Sequence, residues 1–395
     1  MDEVRIEKWR KDIDQLAESL PEKHKNLFYK TKDKAFYNKI DRLKKNLHMF
    51  DDVEILVNIT KIVASARDAH TSVIFPARSF LPFKFYWFEE GIFIVAGTPE
   101  HGDLVNSRLE GVNGMPVEEI ISRLRKVVSY ENESFLKSQL PHYLSIAEVL
   151  YGLEIVDETS LVELDLKGVA GDAFRAVVPT VSIKELNAIS ADNNEDFGKL
   201  PLYRRNAERK YWSYLIEENK TLYFNYNSCR EMDDISLADS TDGIIDMIEG
   251  AAVECLIIDM RNNLGGNSTL LEPFIEWLKN CGKINKEGAL YVIIGRDTFS
   301  SALLNAYAIK NKTKAVLVGE PSGGKPNCYG EVESFKLGNS KVKICYSSKY
   351  YKLIKSDRVM SLFPDVERLV TFKDYIEMRD PCLDYILQTA AKGKK

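Results

Sequence analysis

The chain has 395 residues, of which 45% are hydrophobic and 29% are charged, and its formal net charge is -5. This length exceeds one ordinary hydrophobic core, so two or three domains are expected. The acidic balance argues against nucleic acid as the main partner. No apolar run reaches about 18 residues, so no transmembrane segment is predicted.

The first twenty residues are charged and have no apolar signal segment. The sequence as written therefore predicts a cytoplasmic protein, or an exported one if a signal peptide has been removed. The six cysteines form no C-x-x-C pair, and the five histidines show no metal-ligand spacing. A reducing compartment is favoured, and neither a metal nor another cofactor is predicted.

Four regions follow one another along the chain. Residues 1–75 carry apolar residues at helical spacing and predict a helical region. Residues 76–185 contain short apolar runs and an Asn-Gly turn signal, which predict a strand-rich module. Residues 186–215 are polar, with an acidic stretch, and predict a linker or exposed loop. In residues 216–395 strands alternate with helices, which predicts parallel strands joined by right-handed crossovers.

Ser300 lies between a predicted strand and a predicted helix. The strand covers residues 289–294, and the helix begins at about Ser301. Backbone N–H groups at a helix start lack partners, and the helix dipole favours negative charge there. This is the environment of a nucleophilic serine. Taken by itself, the pattern also fits a serine that caps the helix.

A second turn follows the apolar strand that ends at Asp259. It contains Gly265 and Gly266, which let backbone N–H groups approach an anion closely, as an oxyanion hole requires. One alternative is a tight turn with a structural pair between Asp259 and Arg261. Another is phosphate binding, although the usual glycine-rich phosphate patterns are absent from the sequence.

Two residues are candidate bases. His70 ends a helical stretch and enters an extended segment, and Lys325 lies in the glycine-rich segment 319–327. A single histidine is more often structural than catalytic, and a lysine is more often exposed than buried.

Five segments follow in order along the chain: 68–71 (Asp-Ala-His-Thr), 259–266, 298–302, 319–324 and 363–367. Together they resemble the C-terminal-processing (tail-specific) serine peptidases, especially the branch similar to the tricorn protease core and the interphotoreceptor retinoid-binding repeats. The resemblance implies a multidomain α+β and α/β protein. It implies a crotonase-like αβ protease core in the last region, a divergent PDZ-like module in residues 76–185 and an N-terminal helical region.

The resemblance also implies roles for single residues. Ser300 takes the position of the nucleophile. The backbone N–H groups of Ser301 and of Gly265 or Gly266 take the positions of the oxyanion hole.

The base depends on which branch of the family the chain follows. In the tricorn-like branch the base is His70, and Asp357 is our candidate for the acid that orients it. In the bacterial tail-specific branch the base is Lys325. We favour His70 because the chain carries the histidine motif, and because a lysine must first be desolvated to lose its proton.

The predicted function is that of a serine endopeptidase acting on unfolded or C-terminal peptide segments through an acyl-enzyme. The alternatives are a non-catalytic relative that binds a ligand or protein, and an esterase-like hydrolase using the same site. The expected partner is a peptide or unfolded protein substrate, and a homo-oligomer is left open.

Overall fold

A computed structural model describes residues 3–189, 198–250 and 253–392. The chain divides into a first unit, Met1–Asn193 with Cys328–Lys352, and a second unit, Asn194–Asn327 with Leu353–Lys395. The four-region organisation drawn from composition stays a prediction. Residues 328–352 lie in the first unit, and residues 190–197 of the predicted linker fall outside the described residues.

Helices and strands occur in both units. The helices are α1 (Glu3–Lys23), α2 (Asp33–Lys45), α3 (Asp52–Ala64), α4 (Val117–Leu124), α5 (Glu133–Leu144), α6 (Ala147–Gly152), α7 (Ile183–Ala188), α8 (Leu237–Glu249), α9 (Glu272–Asn280), α10 (Ser301–Lys312), α11 (Phe372–Ile376) and α12 (Pro381–Lys392). The strands are β1 (Ser72–Ile74), β2 (Phe83–Phe88), β3 (Gly91–Gly97), β4 (Arg108–Val112), β5 (Met115–Pro116), β6 (Leu161–Lys167), β7 (Ala173–Pro179), β8 (Tyr211–Ile216), β9 (Thr221–Tyr226), β10 (Cys255–Asp259), β11 (Leu290–Ile294), β12 (Val316–Gly319), β13 (Asn327–Lys336), β14 (Lys343–Lys352) and β15 (Val366–Glu367).

The helices predicted near the N-terminus are present as α1, α2 and α3. Their apolar faces pack into one core, which includes Leu16, Ile40 and Ile59. Asp51 caps α3, and Glu54 completes a capping box by accepting from the Asp51 backbone N–H. The apolar residues at helical spacing therefore lie on the buried sides of these helices, as the sequence predicted.

The first unit also contains two sheets. One has the order β2-β3-β4-β6-β7 with antiparallel pairing, and β5 pairs with β4. The predicted Asn-Gly turn joins β4 to β5, where Asn113 and Gly114 have φ values of 48° and 74°. The other sheet has the order β1-β14-β13.

The second unit is built on a sheet of order β15-β12-β11-β10-β9-β8. Strands β9 to β12 and β15 run parallel, as predicted, and β8 lies antiparallel at one edge. Alternate residues of β10 enter different cores, Ile258 on one face and Ile257 on the other. Burial on both faces explains why these strands read as continuous apolar runs.

The parallel arrangement sets where the functional loops lie. The carboxyl ends of parallel strands meet at one edge of a sheet, which is where open α/β proteins bind their ligands. The turns after β10 and β11 carry Gly265 and Ser300, and the turn after β12 leads to Lys325.

A buried ion-pair network lies at the end of β10. Arg261 Nη2 lies 2.8 Å from Asp259 Oδ2 and 2.8 Å from Asp380 Oδ2. Tyr223 donates its hydroxyl to Asp259 Oδ2 at 2.7 Å. Burial by itself lowers the pKa of Arg261, but the charges of Asp259 and Asp380 outweigh it and raise that pKa. The structural pair of Asp259 and Arg261, one of the alternatives from the sequence, is therefore present.

Within residues 3–189, 198–250 and 253–392, no helix is long and apolar enough to cross a membrane. The same residues contain no group of three or more His, Cys, Asp or Glu side chains placed to hold a metal ion.

Replacing Arg261 tests the stabilising role of this network. We expect Arg261→Met to lower the free energy of unfolding by about 3–5 kcal/mol, because Asp259 and Asp380 stay buried without a countercharge. The matched control is Arg209→Met, whose pair with Asp234 is exposed and contributes about 1 kcal/mol or less. Urea titrations measure both, and equal losses in the two variants would contradict a buried-charge effect.

Candidate active site

Ser300 has an unusual backbone conformation. It occupies the N-cap position of α10 with φ 52° and ψ -123°, and its side chain makes no capping hydrogen bond. Ser300 thus holds the N-cap position that the alternative predicted, but its side chain does not act as a cap. A non-glycine residue at such a positive φ costs about 1–3 kcal/mol. This strained strand-to-helix turn leaves Ser300 partly exposed at the start of a helix.

The turn before Ser300 is held by short-range hydrogen bonds. Thr298 Oγ1 accepts from the Gly295 backbone N–H at 2.9 Å and donates to the Met260 carbonyl at 2.8 Å. The Phe299 N–H donates to the Asn263 carbonyl at 3.1 Å. These bonds connect the turn after β11 with the turn after β10 and help to hold the strained conformation.

The two glycines of the second turn lie against this segment. Gly265 has φ 102°, and a Cβ there would lie 2.9 Å from both Ser300 Cβ and Ser301 N. Gly266 has φ 141°, and a Cβ there would lie 2.2 Å from the Cys229 carbonyl oxygen. Only glycine fits both positions, so the close approach of the two turns depends on them.

The backbone N–H groups around Ser300 differ in their partners. The Gly265 N–H donates to Asn263 Oδ1 at 2.8 Å. The N–H groups of Gly266 and Ser301 have no acceptor within the part of the chain that the structure describes. Ser301 Oγ donates to the Gly266 carbonyl at 2.7 Å, which joins the glycine turn to the start of α10.

Asn263 is a site residue to which sequence reasoning assigned no role. It is fully buried. Besides accepting from Gly265, its side chain donates from Nδ2 to the Tyr226 carbonyl at 2.7 Å, so the amide connects β9 with the glycine turn. The available signal was an amide two residues before a Gly-Gly pair, because such a side chain can bond to the backbone two residues later.

Lys325 is 6% exposed, so the default of an exposed lysine is wrong here. Its loop packs on the Ser300 turn. The N–H of the preceding Gly324 donates to the Thr298 carbonyl at 3.1 Å, and a Cβ on Gly324 would lie 3.1 Å from the Leu303 side chain.

Asp357 is exposed and lies in the second unit. Its Oδ1 atom accepts from Asn327 Nδ2 at 2.7 Å, and the same amide nitrogen donates to the Ile354 carbonyl at 2.9 Å. The observed role of Asp357 is thus to help anchor the loop after β14. Its predicted role as an orienting acid stays a prediction.

His70 lies in the first unit, two residues after the fully buried Asp68. Asp68 accepts hydrogen bonds from His24 Nε2 at 2.9 Å, from Thr71 Oγ1 at 2.6 Å and from Ser347 Oγ at 2.6 Å. Burial alone raises the pKa of Asp68, but these bonds and the charge of His70 outweigh it and lower that pKa to about 2. Asp68 is therefore a permanently charged group in ordinary buffers.

The His70 ring is buried, and burial lowers its pKa below the usual value. The charge of Asp68 and a hydrogen bond to the Tyr329 backbone oppose this shift without reversing it. The backbone N–H of His70 donates to Asp68 Oδ1 at 3.0 Å. His70 is thus neutral at pH 7, the state in which an imidazole can accept a proton. Sequence reasoning had missed His24 and Ser347.

Comparison with solved structures gives extensive matches. Mature CPAF complexed with lactacystin shares 14% identity with a TM-score of 0.65, covering 98% of each chain. A mutant of CPAF shares 13% identity with a TM-score of 0.67, covering 98% of this chain and 96% of that one. The chain has the fold of the C-terminal-processing serine peptidases.

A further match is a proposed peptidase of Parabacteroides merdae, with 12% identity and a TM-score of 0.51, covering 97% of this chain and 96% of that one. No family sequence model and no curated protein matches the chain. The predicted resemblance is confirmed at the level of the fold, a mixed α/β multidomain architecture with several sheets.

Substitutions at position 300 test the backbone strain. Ser300→Gly and Ser300→Ala both remove the hydroxyl, but only glycine adopts φ 52° without a steric cost. We expect the glycine variant to have the larger free energy of unfolding, by about 1–2 kcal/mol in urea titrations.

The matched pair is Ser240→Gly and Ser240→Ala inside α8, where glycine is expected to be about 1 kcal/mol less stable than alanine. The same sign at both positions would contradict the strain at Ser300.

Proposed function

We propose that the chain is a serine endopeptidase that cleaves unfolded or C-terminal peptide segments through an acyl-enzyme on Ser300. The observation that carries this proposal is the geometry of Ser300. This residue is partly exposed at the start of α10, in a strained turn that hydrogen bonds hold in place. A structural serine does not require such a conformation, whereas a nucleophile between a strand and a helix does.

The oxyanion hole is proposed to consist of the Gly266 and Ser301 N–H groups. Both lack an acceptor among the described residues, and the start of the α10 dipole adds to their effect. Gly265 is the weaker of the two glycine candidates, because its N–H is engaged by Asn263 Oδ1. Its role is to let the glycine turn approach Ser300 closely.

His70 is proposed as the general base. Its lowered pKa keeps it neutral at pH 7, and the neighbouring Asp68 charge would stabilise the imidazolium formed during catalysis. We propose Asp68 as the acid that stabilises the imidazolium. Asp357, the candidate acid from the sequence, stays an alternative for this role. The rival base is Lys325, which is buried. The loop that carries it packs on the Ser300 turn.

The proposed reaction follows from these roles. The base takes the Ser300 Oγ proton while Oγ attacks the scissile carbonyl carbon, and the Gly266 and Ser301 N–H groups bind the resulting oxyanion. The base then returns the proton to the leaving amine as the peptide bond breaks. Water attacks the acyl-enzyme by the same route and releases Ser300.

We also propose finer fold assignments. The parallel sheet of the second unit, with its turns at one edge, supports a crotonase-like protease core. The six-stranded antiparallel sheet of the first unit, with α4 following the β4–β5 hairpin, supports a PDZ-like module.

A fluorophosphonate probe and a peptide substrate test the nucleophile. Ser300→Ala is expected to abolish labelling and to reduce hydrolysis by several orders of magnitude. Ser301→Ala should be milder, because it keeps the backbone N–H and loses only the hydrogen bond to the Gly266 carbonyl. Lactacystin, which is bound in a CPAF structure, serves as a competitor for labelling.

Two results would overturn the nucleophile assignment. Hydrolysis that survives Ser300→Ala but is lost in Ser301→Ala would move the nucleophile by one residue. A folded protein that neither reacts with the probe nor cleaves any peptide would support the non-catalytic binding relative.

The base is tested by His70→Ala and Lys325→Ala, with circular dichroism as the control for folding. If His70 is the base, His70→Ala loses most activity, and Lys325→Ala is tolerated or affects only substrate binding. We also expect kcat/KM to rise with pH as His70 loses its proton. Because burial lowers the pKa of His70, the midpoint of this rise should lie below the ordinary histidine pKa of about 6.5.

A folded His70→Ala protein with near-normal turnover would exclude His70. If Lys325→Ala were then inactive, a dyad of Ser300 and Lys325 would be the remaining mechanism.

A further inference from the structure

The first unit contains a cavity of about 1100 Å³ that the proposed chemistry does not use. It is lined mainly by α2, α3, α4 and the segments 46–50, 125–130 and 152–154. Two of its lining residues are acidic, Glu54 and Glu154. Six are basic: Lys39, Arg42, Lys61, Arg67, Arg125 and Lys126.

Most of the positive charge in this basic cavity is not neutralised. Glu54 is engaged in the capping box of α3, and Arg125 pairs with Glu133 at 2.6 Å. Five of the cations have no carboxylate within 4 Å among the residues that the structure describes. These are Lys39, Arg42, Lys61, Arg67 and Lys126.

The cations also act on one another. Burial and the charge of Arg67 lower the pKa of Lys39. For Lys61, burial and the charges of Lys126 and Arg123 lower the pKa, while Glu154 opposes them. An anionic occupant would relieve this repulsion, because opposite charges nearby favour the charged form of a lysine.

Two arginines are positioned at the cavity by an aromatic ring. The Cζ atoms of Arg67 and Arg125 lie 5.1 and 5.8 Å from the centroid of the Tyr130 ring. The backbone of Arg67 has φ 59°, and its carbonyl accepts from the Tyr29 hydroxyl at 2.5 Å. Stacked guanidinium groups lose less freedom when they bind, and their planar donors match carboxylates.

The rest of the lining favours a peptide over a compact anion. Apolar side chains line the same cavity, among them Leu43, Met49, Phe50, Ile62 and Val128. The volume slightly exceeds the range of about 300–1,000 Å³ that is usual for small-molecule sites. We propose that the basic cavity binds an acidic peptide segment with interspersed apolar residues. This site lies within the first unit and does not depend on the chemistry at Ser300.

Fluorescence anisotropy tests the site directly. The probe is a short fluorescein-labelled peptide of Glu with interspersed Leu, and its control has Gln in place of every Glu. Both are titrated with the full-length Ser300→Ala protein, which prevents cleavage. The Glu peptide is expected to bind at least about tenfold more tightly, and its affinity should fall as salt rises.

Charge reversal locates the binding. Arg42→Glu combined with Lys126→Glu should weaken binding of the Glu peptide at least about tenfold. The matched control is Lys167→Glu combined with Lys184→Glu, two exposed cations of the first unit outside the cavity, which should leave affinity within about twofold. If circular dichroism shows that the first double variant is unfolded, Arg42→Gln with Lys126→Gln replaces it.

Three results would overturn the proposal. Equal affinities for the Glu and Gln peptides would exclude recognition of acidic residues. Equal losses in the cavity variant and its control would place binding elsewhere. Binding of inorganic tripolyphosphate, measured by calorimetry, without binding of the Glu peptide would make the cavity a phosphate site.

Discussion

A buried amide, Asn263, connects the ends of three neighbouring strands in the second unit. Its side chain bonds to Tyr226 at the end of β9 and to Gly265 in the turn after β10, and its carbonyl accepts from Phe299 in the turn after β11. A buried amide with all these partners has one favourable position. The relative position of the glycine turn and Ser300 depends on this residue, because it bonds to both turns.

The site combines unfavourable and stabilising features. The positive φ of Ser300 is a local cost. It persists because the hydrogen bonds of Thr298 hold the turn, while the buried network of Arg261 holds the end of β10. The Arg261 network carries buried charge, so breaking one side of it costs more than its presence contributes. Preorganised N–H donors need this rigidity, since they act only when they are held in place before the reaction.

The first unit uses buried charge differently. Asp68 keeps its charge because hydrogen bonds from His24, Thr71 and Ser347 replace water around it. His70, which is buried beside it, is neutral for the opposite reason, since burial disfavours its protonated form more than Asp68 favours it. The basic cavity in the same unit contrasts with the acidic chain as a whole, whose net charge is -5. Local charge, not net charge, therefore decides what a surface of this protein can bind.

The sequence by itself determined the parallel sheet, the helices near the N-terminus and the position of Ser300 between β11 and α10. These follow from hydrophobic periodicity and turn residues, which act over a few neighbouring positions. Only the tertiary structure decided that Lys325 is buried and that Asp68 is surrounded by His24 and Ser347. Those contacts join residues far apart in the chain, and local sequence patterns carry no information about which distant residues meet.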